Sequence, residues 1–317
     1  MKYLIALAIF LSFGFSKKKM AEIVPFEDFD SGGYQLPFAV IGDTQKTSKF
    51  EALIGRERNY KKTKKLISAL AEEEVDLIVH LGDAIFSGKY REWHKFNQLM
   101  SPIRENETPL LLIMGNHEYS GNKSKSFKII KKQFPQMVLS KWYAREYSNI
   151  ALIFLDTNKK KLGEENWSRQ KKWYLEKIKL YKDDPNILGL MLFTHHPPFT
   201  NSKLTNDEKY VEKAFLTPFF TEKKALAVIS GHAHGFEHFI KRDKHFIISA
   251  GGGGPRVKYH TGKKMRHIDR SKLSIPRPFN YLLIEPKTKS INVKVRGFYN
   301  IEDNIKTLES FDISFNL

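Results

Sequence analysis

The sequence predicts an α/β fold, and three observations carry that expectation. Apolar runs of strand length alternate with segments of helical spacing between residues 36 and 300. Five of the strand-like runs end on Gly or Thr followed at once by a carboxylate, amide or imidazole: Asp43, Asp83, Asn116, His195 and His232. The chain has 317 residues, 41% hydrophobic and 28% charged, which is ample apolar surface for a packed domain.

The elements follow in order. Phe38–Ile41 reads as a buried strand closing on Gly42-Asp43. Tyr60–Glu74 has helical spacing, with Leu66, Ile67 and Leu70 on one face. Leu77–Leu81 is a strand closing on Gly82-Asp83, Glu92–Ile103 a helix, and Leu110–Met114 a strand closing on Gly115-Asn116-His117. Phe127–Phe134 is helical, and Tyr143–Tyr147 with Ile150–Leu155 form a hairpin across Ser148-Asn149. Trp167–Tyr181 is an amphipathic helix with Trp173, Leu175 and Ile178 as core candidates. Leu188–Phe193 is a strand closing on Thr194-His195, Val211–Phe220 a helix, and Ala225–Ile229 a strand closing on Gly231-His232. Short strands are expected at Phe236–Ile240, Phe246–Ser249, Tyr281–Ile284 and Ile291–Val295. In open α/β sheets the carboxyl ends of the strands are where ligands bind, so the five polar ends are expected to converge on one crevice.

At the amino end, Lys2 precedes the apolar run Tyr3–Phe15, which has the length of a secretory h-region and is short for a bilayer span. Residues 1–16 are therefore read as a signal peptide, which implies a secreted or periplasmic protein. An uncleaved membrane anchor or a buried strand are the alternatives. Residues 17–35 read as a linker, 36–300 as the catalytic domain and 301–317 as a C-terminal tail. Beyond the leader, no segment has the length of a transmembrane helix.

There is no cysteine, so disulfides and thiolate metal ligands are excluded and any metal must be held by nitrogen and oxygen. Lys and Arg number 53 against 35 Asp and Glu, a net charge of +18. Such a field draws in anions, and phosphate esters, nucleic acid and anionic membrane all fit it. A merely solvated basic surface fits equally well.

The chemistry sits in five blocks: Gly42-Asp43-Thr44-Gln45, Gly82-Asp83, Gly115-Asn116-His117-Glu118, Thr194-His195-His196-Pro197-Pro198 and Gly231-His232-Ala233-His234. Taken singly, Asp43 and Asp83 would be turn or cap residues, and Asn116 and His117 a turn and a bonded histidine. In this order and spacing the blocks resemble the calcineurin-like metallophosphoesterase superfamily, most of all its purple acid phosphatase-like branch. Gln170-x-x-Trp173 and the run Ser249–Gly254 add to the likeness. The resemblance implies two mixed β-sheets packed as a sandwich flanked by helices. It also implies a centre of two divalent ions (Mn, Fe, Zn or Mg, with Mn-type favoured). Asp83 would bridge the ions. One would take Asp43, Gln45 and His234, and the other Asn116, His195 and His232. His117 would serve the leaving group, and His196 is a candidate substrate contact. The implied activity is hydrolysis of a phosphate mono- or diester by a hydroxide bridging the metals.

Two positions depart from the family pattern. Gln45 stands where a histidine is usual; its amide oxygen is a neutral, weaker donor that ligates directly or through water and favours harder ions such as Mn²⁺ or Mg²⁺. Phe86 stands where the branch has a metal-bound tyrosine, or where protein phosphatases have an aspartate supporting the catalytic histidine. A tyrosinate chromophore is therefore not expected, and the histidine–aspartate dyad is incomplete. The rival readings are a nuclease or phosphodiesterase for polyanionic substrates, although no nucleic-acid module is recognised, and a catalytically decayed metal- or anion-binding protein. Arg256–Arg270 reads as a solvated loop or a phosphate contact, and the loops at 86–90, 119–125, 199–207 and 254–270 as the specificity loops.

Overall fold

The computed structural model describes residues 25–27 and 36–316. The expected signal peptide and most of the expected linker lie outside the described residues. The first half of the chain gives β1 (Phe38–Ile41), α1 (Lys49–Leu53), α2 (Tyr60–Ala71), β2 (Leu77–His80), α3 (Tyr90–Leu99), α4 (Ser101–Glu105), β3 (Leu110–Leu112) and α5 (Lys123–Gln133). The hairpin β4 (Tyr143–Tyr147) and β5 (Ile150–Phe154) leads to α6 (Lys159–Leu162), α7 (Glu164–Asp183) and β6 (Gly189–Thr194). After α8 (Lys209–Val211) and α9 (Thr217–Thr221) come β7 (Ala225–Ser230), β8 (Phe236–Lys241), β9 (Lys244–Ser249), β10 (Phe279–Pro286), β11 (Ser290–Phe298) and β12 (Lys306–Ser314).

The strands form two six-stranded mixed sheets, ordered β12-β11-β10-β1-β2-β3 and β4-β5-β6-β7-β9-β8. In the first, β1, β2 and β3 are parallel, so Asp43, Asp83 and Asn116 leave the same edge. In the second, β6 and β7 are parallel, which sends His195 and His232 out of one edge as well. Strand β5 shows why the sheets stack. Ile150, Leu152 and Phe154 belong to the core shared with β1 and β2, while Ala151, Ile153 and Leu155 face a second core with Trp167, Tyr174 and Ile178 of α7. Both faces of the strand are buried, which makes its apolar run unbroken rather than alternating. Phe38 of β1 meets Phe193 of β6 across the sandwich, ring centroids 6.5 Å apart.

Several expectations needed correction. Residues 301–317 are not a tail: Lys306–Ser314 pairs antiparallel with β11 as an edge strand. Its charged, half-exposed pattern hid it, since an edge strand needs little apolar content. The expected helix 92–103 is broken at Met100: Pro102 has no N–H to give the Gln98 carbonyl and its ring crowds that turn, so the ladder stops and α4 starts anew with the proline in its first turn. On α7, Leu175 is exposed, and the buried face instead carries Trp167, Gln170, Tyr174, Ile178 and Tyr181. The helical stretch 209–221 passes through a wide π turn at Glu212–Leu216, where Pro218 supplies no N–H to the ladder. Within the expected linker, Phe26 is buried, its ring stacked on Phe134 at 5.3 Å and its N–H donating to the Gln133 carbonyl. Helix α1 was not anticipated, although Ser48 and Glu51 form a complete capping box around its start.

Candidate metal centre

The centre is assembled by backbone in rare conformations. Asp43, Asp83, His232 and His234 all have positive φ, at 59°, 52°, 69° and 40°. Non-glycine residues hold such angles at a cost of about 1–3 kcal/mol each, and they collect where a site demands a particular side-chain direction. Close approach of backbone is also required. A Cβ on Gly115 would lie 2.3 Å from Asp83 Oδ1, and one on Gly254 would lie 2.8 Å from the His234 ring. Only glycine fits either place.

All seven residues expected as ligands meet at this edge. Asp83 lies at the middle. Its Oδ1 accepts the His117 backbone N–H at 2.9 Å, which leaves Oδ2 directed at His195 Nε2, 3.4 Å away. On one side, His195 Nδ1–H donates to the Leu81 carbonyl at 2.8 Å, which turns Nε2 toward the centre, where it offers a lone pair once a metal ion displaces its proton. That nitrogen faces Asn116 Oδ1 at 3.1 Å and His232 Nδ1 at 3.2 Å. On the other side, His234 Nδ1–H donates to the Pro255 carbonyl at 3.0 Å and frees Nε2. The Gln45 amide nitrogen is satisfied when it donates to the carbonyls of Asp43 and Asp83, at 3.1 and 2.8 Å. The reverse orientation would press its oxygen against those two acceptors. Its oxygen then faces His234 Nε2 at 3.1 Å, and Asp43 Oδ1 lies 3.6 Å from the same nitrogen.

This arrangement fits divalent cations. Two acceptors facing each other at about 3 Å repel, unless a cation bonds both; donors held at about 2.1 Å from one ion and at right angles stand about that far apart. The pattern occurs on each side of Asp83. The donors are oxygen and imidazole only, a set that suits Mn, Fe, Mg and Zn. Electrostatics agree. Burial pushes Asp43 well above the usual carboxylate range, and nearby Asp83 adds to the push. Burial also opposes charge on Asp83, but His195, His117 and His232 overcome it and hold this carboxylate well below that range. Burial opposes a proton on His195, yet Asp83 and Asp43 lift it to about 10. A proton there does the work of a cation. Burial brings His232 down to about 3 and His234 to about 4, leaving both as the neutral imidazoles that metals bind.

Glu118 is a participant whose role the sequence did not reveal, although it stands inside one of the blocks. Its buried carboxylate accepts backbone N–H groups from Asp83, Ala84 and Gly115 at 3.0, 2.9 and 2.8 Å. It thereby ties the turn after β2 to the turn after β3. Gln170 braces the end of β5 similarly: it accepts from Asp156 N–H at 2.8 Å and donates to the Asp156 carbonyl at 2.9 Å. His196 is buried beside His232, ring centroids 4.7 Å apart, with Nδ1 at 2.9 Å from Thr157 Oγ1. Its ligating atoms, with those of His195 and His232, fall within 4.8 Å of one another. His117 Nε2 lies 3.8 Å from Asp83 Oδ2, at the open side of the centre. The basic stretch after Gly254 is largely structural: Arg256 pairs with Glu57 at 2.6 and 3.0 Å, and Arg266 donates to the Thr205 carbonyl at 3.0 Å.

A two-sheet sandwich with carboxylates, amides and imidazoles gathered at its strand ends defines a metal-dependent hydrolase. Residues 36–236 match the calcineurin-like phosphoesterase family, and the chain belongs to it. It is a metallophosphoesterase, acting on phosphoric ester bonds. Solved structures share the fold. A purple acid phosphatase from yellow lupin seeds is 16% identical with a TM-score of 0.66, covering 88% of this chain, which spans 53% of the lupin chain. A Plasmodium protein described as the anchor in the inner membrane complex is 18% identical with a TM-score of 0.63, over 89% of each chain. A dimetal phosphatase from Danio rerio is 15% identical with a TM-score of 0.61, over 88% of this chain and 99% of its own. No curated protein sequence matches the chain.

Proposed function

We propose that the chain hydrolyses phosphate mono- or diesters at a two-metal centre, with Asp83 shared between the ions. Asp43, Gln45 and His234 would hold one ion, and Asn116, His195 and His232 the other. The observation that carries this reading is the repetition of facing acceptors on both sides of one carboxylate: Gln45 with His234, and Asn116 with His195. When bound, such a pair of ions supplies an activated water and neutralises phosphoryl charge.

The chain's own residues supply the rest. The Leu81 and Pro255 carbonyls fix the tautomers of His195 and His234, so each presents a lone pair inward. Glu118 keeps the Asp83 and Asn116 turns in register. His117 stands at the open side with Nδ1 tied to a backbone carbonyl. Its Nε2 is thus free to hold a proton for the departing alkoxide. His196, positioned by Thr157, adjoins the place where a phosphoryl oxygen would sit.

Among the described residues no helix is long and apolar enough to cross a membrane. Export through the amino-terminal apolar run is our proposal on the sequence pattern alone. The deciding test is Asp83→Ala, assayed with an aryl phosphate and by metal content. Activity should vanish and bound metal should fall; undiminished turnover sinks the reading.

A further inference from the structure

Helix α1 is unusual in burying none of its residues. Phe50, Leu53 and the following Ile54 are 70%, 82% and 60% exposed. At about 100° per residue they share an arc of about 100°, a single apolar stripe facing solvent. A capped helix that spends its apolar face on water is a surface awaiting a partner.

The neighbouring face of α1 walls a cavity of about 520 Å³ lined by Lys46, Lys49, Ala52, Arg58, Tyr60 and Lys61, among others. No acidic side chain lines it, and among the described residues none of these four cations has an ion-pair partner. Lys46 follows Gln45 directly and lies over the Tyr60 ring at 5.2 Å. Lys46 and Tyr60 also line a narrow cleft with Thr44 and Phe86, and the Phe86 ring lies 5.4 Å from that of His117. The cationic cavity therefore shares Lys46 and Tyr60 with a cleft that reaches Phe86, the ring beside His117.

We propose that α1 and this cavity form a docking surface for an anionic lipid membrane, from which the enzyme takes an amphiphilic phosphoester. The inference rests on the hydrolytic reading above. An apolar stripe flanked by unpaired cations is the pattern of helices that lie in a headgroup layer, with apolar side chains entering the acyl boundary and Lys and Arg meeting lipid phosphates. A small soluble anion would account for the cations but leaves Phe50, Leu53 and Ile54 unexplained. A polynucleotide would call for stacked aromatic rings, and the stripe is mostly aliphatic.

The test uses full-length protein and co-sedimentation with vesicles of phosphatidylcholine alone, or with about one quarter phosphatidylglycerol. Wild-type protein should bind the anionic vesicles, and less as salt rises. The Phe50→Ser/Leu53→Ser/Ile54→Ser variant should lose at least about tenfold in partitioning while turning over a soluble aryl phosphate like wild type. Lys49→Gln/Lys61→Gln should weaken binding to anionic vesicles only. The proposal is overturned if wild-type protein stays in solution with both vesicle types, or if the triple variant binds undiminished. It is overturned equally if soluble pyrophosphate at constant ionic strength displaces the protein from vesicles, or if single-stranded DNA binds more tightly than vesicles do. Asp83→Ala should still dock, so loss of docking and loss of hydrolysis are read separately.

Discussion

His117 Nδ1 lies 2.5 Å from the carbonyl oxygen of Phe86, so a backbone acceptor holds the imidazole that the sequence had left without a carboxylate partner. The substitution of phenylalanine at this position removes a side-chain acceptor and keeps a backbone one. The ring remains in one tautomer, with Nε2 toward the centre.

It follows that His117 should matter in proportion to the leaving group's need for a proton. His117→Ala should lower kcat on an alkyl phosphate by about 10²–10⁴-fold and on a nitrophenyl ester far less. Phe86→Ala keeps the carbonyl and should stay within a few-fold of wild type. Equal losses on both esters in steady-state assays would rule out a proton-donor role.

In the proposed two-metal centre Gln45 would give a neutral oxygen to one ion only. Gln45→Ala should weaken that ion by about 10–100-fold while the other binds as before, so calorimetric titration should resolve one weakened step. Gln45→His should tighten it and shift preference from Mn²⁺ toward Zn²⁺. A titration in which both steps weaken equally would contradict the assignment.

Glu118→Ala would leave the N–H groups of Asp83, Ala84 and Gly115 without an acceptor. Unmet buried groups cost about 1–3 kcal/mol each, so a loss of about 3–5 kcal/mol is expected in denaturant titration. Glu118→Gln retains one oxygen and should fall between. Stability equal to wild type would show that the two turns need no tie.

Glu237 lies away from the ligands and gives a pH signature. Burial raises its carboxyl to about 7, against bonds from Thr200 Oγ1 and Asn201 N–H that favour the charged form. The folded chain therefore holds this proton more tightly than the unfolded chain, whose Glu titrates near 4.3. Its contribution is full below about pH 4.3 and declines as pH rises to about 7, by about 1.4 kcal/mol per pH unit at most. Glu237→Gln is isosteric and should remove that decline, raising Tm relative to wild type at pH 8. Parallel pH profiles for the two proteins would show that Glu237 does not titrate in this window.

Local pattern alone determined the alternation of elements, the five polar strand ends and the residue types able to hold metal, because period, turn chemistry and ligand chemistry are written in neighbouring residues. Phe38–Ile41 and Ala225 onward read as strands from their own apolar runs. Lys306–Ser314 could not be read in this way, since its place is fixed by pairing with β11 rather than by its own composition. Tertiary structure alone decided which atoms face one another. The tautomers of His195 and His234, the orientation of the Gln45 amide, the tie made by Glu118 and the Phe86 carbonyl behind His117 all depend on backbone groups distant in sequence. Main-chain carbonyls and N–H groups are common to every residue, so the choice of partner leaves no mark in the side-chain alphabet and appears only once the chain has folded.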